Sequence, residues 1–243
     1  MKKLLAIVLA ALMICACFAG CGKSKETLTM GTNASFAPYE YVDDNGKIVG
    51  IDAEIAQAIA DKLGMTLEIK DMDFEALVPA VQSGQVDLVL AGMTVSEERK
   101  ESVNFTDSYA KGVQAIIVTE NSDIASADDL AGKKIGVQSG TTGDTYCTDD
   151  FGQESVKQYK DGAAAVAALK NGQVDCVVID NEPAKNYVAS NAGLKILNTA
   201  YADEDYAAAI AKTNTELLDK VNKAIQELKA DGKIDEIVSK YIK

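Results

Sequence analysis

Histidine is absent from this chain, and its five cysteines are scattered at Cys15, Cys17, Cys21, Cys147 and Cys176. Without imidazoles, and with thiols spread this way, no transition-metal site of ordinary ligand spacing can be built. Serine–histidine and cysteine–histidine nucleophile pairs are excluded for the same reason. Basic residues are scarce: 24 Lys and Arg stand against 37 Asp and Glu, a formal net charge of −13. Nucleic acid is therefore not expected as a partner, because binding to phosphate backbones rests on clustered Lys and Arg. The acidity reads instead as a solvated surface that keeps the protein soluble. Arginine occurs once, at Arg99. No metal and no cofactor are implied.

Arg99 lies just past the apolar run Val86 to Leu90, which reads as a buried strand, and three residues after Ser96, which reads as a helix N-cap. Glu or Gln at that third position would complete a capping box. A cation there faces the positive end of the helix dipole instead. A local rule broken without local gain is where function is expected. Guanidinium grips a carboxylate through a two-bond fork that lysine cannot reproduce. The alternative is a surface arginine paired with Glu97 or Glu98.

The N-terminus points to a compartment. Met1-Lys2-Lys3 precedes an apolar stretch of 15 residues, Leu4 to Phe18. A membrane span needs ~20 residues, so the stretch suits the core of a secretory signal peptide, residues 1–20. It ends in Cys17-Phe18-Ala19-Gly20-Cys21, which resembles a bacterial lipobox and implies cleavage before Cys21 and lipidation of its sulfur. An ordinary signal peptide with a fortuitous cysteine is the alternative. Residues 21–26 then form a lipidated cysteine and tether, with each buried methylene of the anchor contributing ~0.8 kcal/mol. Loss of Lys2 and Lys3 takes the charge from −13 to −15 and leaves 223 residues, enough for two modest lobes or one large domain. Outside the cytoplasm Cys147 and Cys176 are permitted to pair. Whether they lie within the ~7 Å limit for bridging is not readable from sequence, and two buried thiols are the alternative.

A faint internal repeat sets the architecture. Val81-Gln82-Ser83-Gly84-Gln85-Val86-Asp87-Leu88-Val89-Leu90 matches Leu169-Lys170-Asn171-Gly172-Gln173-Val174-Asp175-Cys176-Val177-Val178. Each copy reads as a helix end, a Gly C-cap, a connection and a buried strand. The same order of elements precedes both. In the first half Leu28 to Asn33 predicts a strand and Ile51 to Leu63 a helix stopped by Gly64. Leu67 to Asp71 predicts a strand and Phe74 to Gln82 a helix. In the second half Lys134 to Gln138 and Val156 to Tyr159 predict strands, with helices through Thr145 to Asp149 and Ala163 to Lys170. Alternating strands and helices imply parallel sheets with right-handed crossovers. The expectation is an α/β fold of two lobes with parallel-rich sheets.

Ligands of open α/β sheets bind outside the carboxyl ends of the strands. In the first half that edge carries Gly92, Met93 and Thr94, leading to Arg99; 88 residues on, Gly92 corresponds to Asp180. Facing lobes would bracket a cleft with a cation on one wall and an anion on the other, an arrangement suited to a zwitterion. Ser139 to Gly143 follows another strand end and reads either as a backbone nest for an anion or as an ordinary turn. Asp180 has a second reading too, as the cap of a helix ahead of Pro183.

Several runs carry a family resemblance: Gly31 to Tyr41, Gly50-Ile51-Asp52, Ala91 to Lys100, Phe105 to Tyr109, Ser139-Gly140-Thr141 and Asp205-Tyr206-Ala207. Together they closely resemble the polar amino-acid-binding proteins of ABC transporters, family 3 of the extracellular solute-binding proteins, in lipoprotein form. The resemblance spans residues 27–243 and implies a hinged periplasmic-binding-protein fold. It places lobe 1 at 27–108 and 207–243, lobe 2 at 114–201, and hinge crossovers at 109–113 and 202–206. It also implies that the helix with Leu217, Leu218, Val221, Ile225 and Leu228 on one stripe packs on lobe 1.

Carried over by position, the resemblance makes Arg99 the clamp for an α-carboxylate, assisted by backbone N–H groups of Thr94 and Thr142. Asp180, the Thr94 hydroxyl and the Gly92 carbonyl take the α-ammonium, and Phe36 packs on the ligand side chain. Asn33, Met93, Gln138 and Thr141 complete the expected site. Three positions depart from the pattern: Ile51 replaces a second aromatic, Asn33 an acid, and Thr142 a glycine of some members. An amide at Asn33 both donates and accepts, which favours a neutral polar side chain such as glutamine over a cationic one. The expected function is capture of a free L-amino acid by a monomer held at the extracytoplasmic face of the cell membrane through a lipid anchor. Delivery is to an ABC transporter permease. A dehydratase-like enzyme on the same scaffold is the alternative, with Glu40 and Asp180 as formal acid–base groups.

Overall fold

A computed structural model describes residues 26–242. Residues 1–20, expected to be a signal peptide, and Cys21 lie outside the described residues, and no described helix is long and apolar enough to cross a membrane. Strand β1 (Thr27–Thr32) leads into a small antiparallel ribbon of β2 (Ser35–Phe36), β3 (Glu40–Val42) and β4 (Ile48–Val49). Helix α1 (Ile51–Leu63) follows, fully burying Ile51, Ile55 and Ile59, and β5 (Thr66–Asp71) returns parallel to β1. The helix expected from Phe74 is split: Phe74–Ala76 is a 3-10 turn and α2 covers Leu77–Gln82. Pro79 is the reason. It has no N–H to donate one turn back, a loss that matters only outside the first turn of a helix.

Strand β6 (Leu88–Val89), helix α3 (Glu97–Ser102) and strand β7 (Val103–Phe105) follow before the ten-residue strand β8 (Ala110–Thr119) enters the second sheet. There the order is β9 (Ile135–Gln138), α4 (Thr142–Phe151), β10 (Val156–Tyr159), α5 (Gly162–Lys170), β11 (Cys176–Asp180), α6 (Asn181–Ser190) and β12 (Leu194–Ile196). The chain returns through β13 (Ala202–Tyr206), adds β14 (Ala209–Ala211) to the first sheet, and ends in α7 (Thr215–Ala230) and α8 (Lys233–Tyr241).

The first sheet has the order β5-β1-β6-β14-β7, the second β10-β9-β11-β8-β12. Each is parallel through its first three strands, as the alternation of strands and helices predicts, and antiparallel beyond. The antiparallel part is contributed by β14 and β7 in the first sheet and by β8 and β12 in the second. Residues 202–206 pair antiparallel with residues 110–114, so the two connections form one hydrogen-bonded ribbon. The segments 109–113 and 202–206, expected as hinges, lie in or beside this ribbon.

The sequence repeat has a physical counterpart. Gly84 and Gly172 end α2 and α5 at φ of 75° and 68°. The next residues, Gln85 and Gln173, donate back to Ala80 and Ala168. Asp87 and Asp175 then clip the neighbouring strand: each donates its N–H to a carbonyl and accepts that residue's N–H on its side chain, at Thr29 and Lys134. Val86 and Val174 pack on Gly31 and Gly136.

The lobe 1 core joins Leu28, Met30, α1 and the buried faces of α7 and α8 (Val221, Ala224, Ile225, Leu228, Ile234, Ile237). Full burial of such side chains contributes ~1.5–3 kcal/mol each, and this packing on its own lobe uses the apolar stripe of α7. In lobe 2, Cys147 and Cys176 are free, buried thiols of one cluster with Ile116, Val137 and Val178. Burial pushes the Cys147 thiol up to about 12 and Cys176 still higher, which leaves both unreactive as nucleophiles.

Candidate functional site

Between the lobes lies a cavity lined by Asn33, Phe36, Phe74, Gly92, Thr94 and Arg99 from the first and by Gln138, Thr141, Thr142 and Asp180 from the second. Its wall also includes Glu40, Ala91, Gln114, Val178, Ile179 and Tyr206. About 30 Å3 of the cavity is free, room for a water molecule or two.

The wall carrying Arg99 is built on the crossover. Residues 93–95 run antiparallel to residues 205–207, with Val95 N–H donating to Asp205 O and Ala207 N–H to Met93 O. Extended backbone alternates its side chains, so Thr94 faces the cavity and Met93 the core. Met93, expected at the site, is instead fully buried among Leu77, Val81, Val89 and Val103. Ser96 caps α3, its Oγ accepting from Arg99 N–H at 3.2 Å. The Arg99 side chain turns back over this cap. Its Nη1 donates to Thr94 O at 2.8 Å and its Nη2 crosses to Gly140 O at 3.1 Å. The guanidinium also lies 5.4 Å from the Phe74 ring centroid. Burial pulls its pKa below the ordinary value while Glu204 opposes the shift; the group stays a cation.

The opposite wall comes from strand and helix ends of lobe 2. Thr141 caps α4, accepting from Asp144 N–H, and Thr142 opens the helix with its Oγ1 3.5 Å from that of Thr94. Asp180 ends β11 and caps α6, so its two sequence readings coincide in one residue. Its Oδ1 accepts from Glu182 N–H; its Oδ2 accepts from Val113 N–H and from the Tyr206 hydroxyl at 2.6 Å. Three bonds leave about one of the four lone-pair sites of a carboxylate free. Burial raises Asp180 to about 6 despite these bonds.

Beside the Thr94–Thr142 hydroxyl pair, further hydrogen bonds hold the lobes together around the cavity. Gln138 Nε2 donates to Asn33 Oδ1 at 2.9 Å, and Arg99 reaches Gly140 O. Ser139 Oγ donates to Glu75 at 2.5 Å, Tyr187 to Ser35 O and Asn186 to Ala37 O. Gly140 permits this closeness: at φ 74° an added Cβ would stand 3.0 Å from that of Glu75.

Sequence reasoning left out Phe74, Gln114 and Tyr206, and treated Glu40 only as a formal acid. Glu40 and Asp52 are fully buried. Asp52 Oδ2 accepts from Gly92 N–H at 2.8 Å and from the Tyr109 hydroxyl at 2.6 Å, while its Oδ1 and both Glu40 oxygens lack a partner. Burial, then the adjacent Asp52 carboxylate, hold Glu40 well above the usual carboxylate range, and burial raises Asp52 to about 6. Glu204 lies behind Thr94, accepting from Thr94 Oγ1 at 3.0 Å and Gln114 Nε2 at 2.9 Å. An alternating strand in the crossover was the only signal for Glu204. Gly50-Ile51-Asp52, already part of the resemblance, was a signal for Asp52.

The family model for bacterial extracellular solute-binding proteins, family 3, matches residues 28–243. The arginine-binding extracellular protein ArtP of Bacillus subtilis is 36% identical, over 99% of this chain and 98% of that one. Solved structures of an ancestral arginine-binding protein, one bound to arginine and one to glutamine, are each 45% identical at a TM-score of 0.85. They cover 90% of this chain and 100% and 98% of those chains. Two sheets joined by a paired crossover, a cleft at the carboxyl ends of their strands, and this likeness along nearly the whole described length lead to one conclusion: the chain belongs to family 3 of the bacterial extracellular solute-binding proteins.

Proposed function

We propose that the protein captures a free L-amino acid with a cationic side chain, arginine first, outside the cytoplasm and delivers it to an ABC transporter permease. The observation that carries the choice of ligand is the set of ionisable groups lining the cavity: two carboxyl groups, Glu40 and Asp180, against one guanidinium, Arg99. A zwitterion uses Arg99 and Asp180, and Glu40 remains for a further positive charge. Phe36 offers a guanidinium an aromatic face. Relatives named for arginine support the same choice.

In this reading Arg99, with the N–H groups of Thr94 and Thr142, holds the α-carboxylate. Asp180, the Thr94 hydroxyl and the Gly92 carbonyl hold the α-ammonium, and Phe36 packs on the side chain. The lobes, 27–108 with 207–243 and 114–201, close about segments 109–113 and 202–206. Cys21 carries the lipid anchor, and the protein acts as a monomer. Glutamine is the second reading, favoured by the amides of Asn33 and Gln138 and by the ancestral relative bound to it. A family of solute-binding proteins leaves the dehydratase alternative without support.

A thermal-shift screen of the free amino acids tests the proposal. A ligand at 100 times its Kd adds ~2.7 kcal/mol of stability, so arginine should give the largest rise in Tm and glutamine a smaller one. No rise with any amino acid overturns the function; a larger rise with glutamine overturns the order.

A further inference from the structure

Three carboxylate oxygens without partners, two on Glu40 and one on Asp52, sit fully buried beside the cavity. Buried polar atoms in folded proteins nearly always have partners, and two bare anions side by side would be costlier than either alone. The groups acting most strongly on Glu40 are Asp52 of α1, Asp180 at the end of β11 and Asp71 at the end of β5. All are acids. Asp52 is engaged by Gly92 N–H and Tyr109, and the Glu40 and Asp52 carboxyls stand within hydrogen-bond reach of each other, a bond that only a proton on one of them can make; Tyr39 and Tyr109, the phenols beside the pair, do not neutralise it. Glu40 also lines the cavity, so a ligand bearing positive charge supplies what the protein around it lacks.

We propose that Glu40 holds a proton in the empty cavity and releases it when a cationic amino acid enters, which makes Glu40 the residue that admits a second positive charge. The step is a simple ionisation: the O–H bond of the Glu40 carboxyl breaks, the electron pair stays on its oxygen, and the proton passes to solvent. A neutral ligand side chain brings no such compensation, and the carboxyl stays protonated. The inference rests on the reading of this site as one for free amino acids. It adds that selectivity for cationic over neutral side chains is set by a protonation, at a residue away from the departures at Asn33 and Ile51.

Calorimetry with L-arginine and L-glutamine at pH 7, in phosphate and in Tris, reads proton exchange as the difference in heat between buffers of unlike ionisation enthalpy. For the protein itself, arginine should release up to about one proton and glutamine almost none. In Glu40→Gln the release should vanish, and the affinity ratio of arginine to glutamine should fall about tenfold. In Asp52→Asn, which keeps Glu40 but removes the adjacent anion, release at pH 7 should shrink, so the proposal survives a failure of either variant to fold. Equal heats in the two buffers, or release that persists unchanged in the folded variant, overturns the role of Glu40 and leaves amino-acid binding intact. Absence of binding by every free amino acid overturns both.

Discussion

The two copies of the repeat make the same bonds and end in opposite chemistry. Gly84-Gln85-Val86-Asp87 and Gly172-Gln173-Val174-Asp175 terminate a helix, clip the neighbouring strand through an aspartate and cover a glycine, in both lobes alike. Beyond the strand the copies diverge. The first continues through a loop bonded to the crossover and delivers a cation on a short helix; the second ends at once in a carboxylate that caps the next helix. What repeats is scaffold, and what differs is the site. The divergence also has a mechanical side: Arg99 is half-buried and bonded to two carbonyls, whereas Asp180 holds three donors of its own lobe and crossover.

The largest expected effect breaks the comparison at Arg99. Arg99→Ala should lower affinity for the bound amino acid by more than a hundredfold, since removing one partner of a buried pair costs ~3–5 kcal/mol. Arg99→Lys, which keeps charge but loses the fork, should cost tenfold to a hundredfold, from ~1.5–3 kcal/mol. Calorimetry measures both, and the urea midpoint should barely move. Equal loss of stability in Arg99→Ala would mean that the cation is scaffold as well.

Asp180→Ala is expected to behave differently, losing ~2–3 kcal/mol of folding stability in urea together with ligand affinity, because two N–H donors and the Tyr206 hydroxyl are left without an acceptor. A variant as stable as the parent would place Asp180 beside Arg99 as a residue serving the ligand alone.

Titration separates the two walls further. Burial raises Asp52 and Asp180 to about 6 in the folded protein, against ~3.9 for a free aspartate. A carboxyl raised by folding stabilises the fold below its unfolded value, and that contribution is lost as pH climbs from about 4 through 6. Stability should therefore rise by ~2–3 kcal/mol between pH 7 and pH 5, about half from each group, and Asp52→Asn should shrink the rise. Ligand affinity should move the opposite way, since an ammonium needs Asp180 ionised. Urea midpoints and calorimetry at the two pH values decide; a fall in stability between pH 7 and 5 would contradict the burial effect.

The smallest effect sharpens the likeness of the copies. Asp87→Ala and Asp175→Ala each remove one side-chain bond of a strand clip, at ~1 kcal/mol or less. Asp175 is exposed and should cost less than half-buried Asp87. Equilibrium urea unfolding of the pair measures the difference; a loss of several kcal/mol at one site only would end the equivalence.

These asymmetries mark what could be read without a structure. The order of strands and helices was legible because hydrophobic period and glycine stops are local, as at Ile51 to Gly64 and in both repeat segments. The ribbon of β2 to β4 was not, since strands of two or three residues carry too little period to detect. The cavity wall was legible where it follows strand ends: Gly92, Thr94, Arg99, Gln138, Thr142 and Asp180 all line it. Met93 sits between two of these in sequence, but backbone alternation sends it to the core. Glu40 was visible as a residue and invisible as an electrostatic problem, because its trouble comes from Asp52 and Asp180, 12 and 140 positions away. Tyr206 and Gln114 reach the cavity only because the crossover strands pair beneath it.

Of the hydrogen bonds that cross the cleft among the described residues, three end on backbone carbonyls, at Gly140, Ser35 and Ala37. A carbonyl is present whatever side chain its residue carries, so these acceptors outlast substitution at their own positions. Each such bond also replaces one made to water and contributes only ~1 kcal/mol net. The seam between lobes is thus tolerant of sequence drift yet too weak to decide its own state, and an evolving lineage can exchange the residues that choose the cargo without rebuilding the clasp.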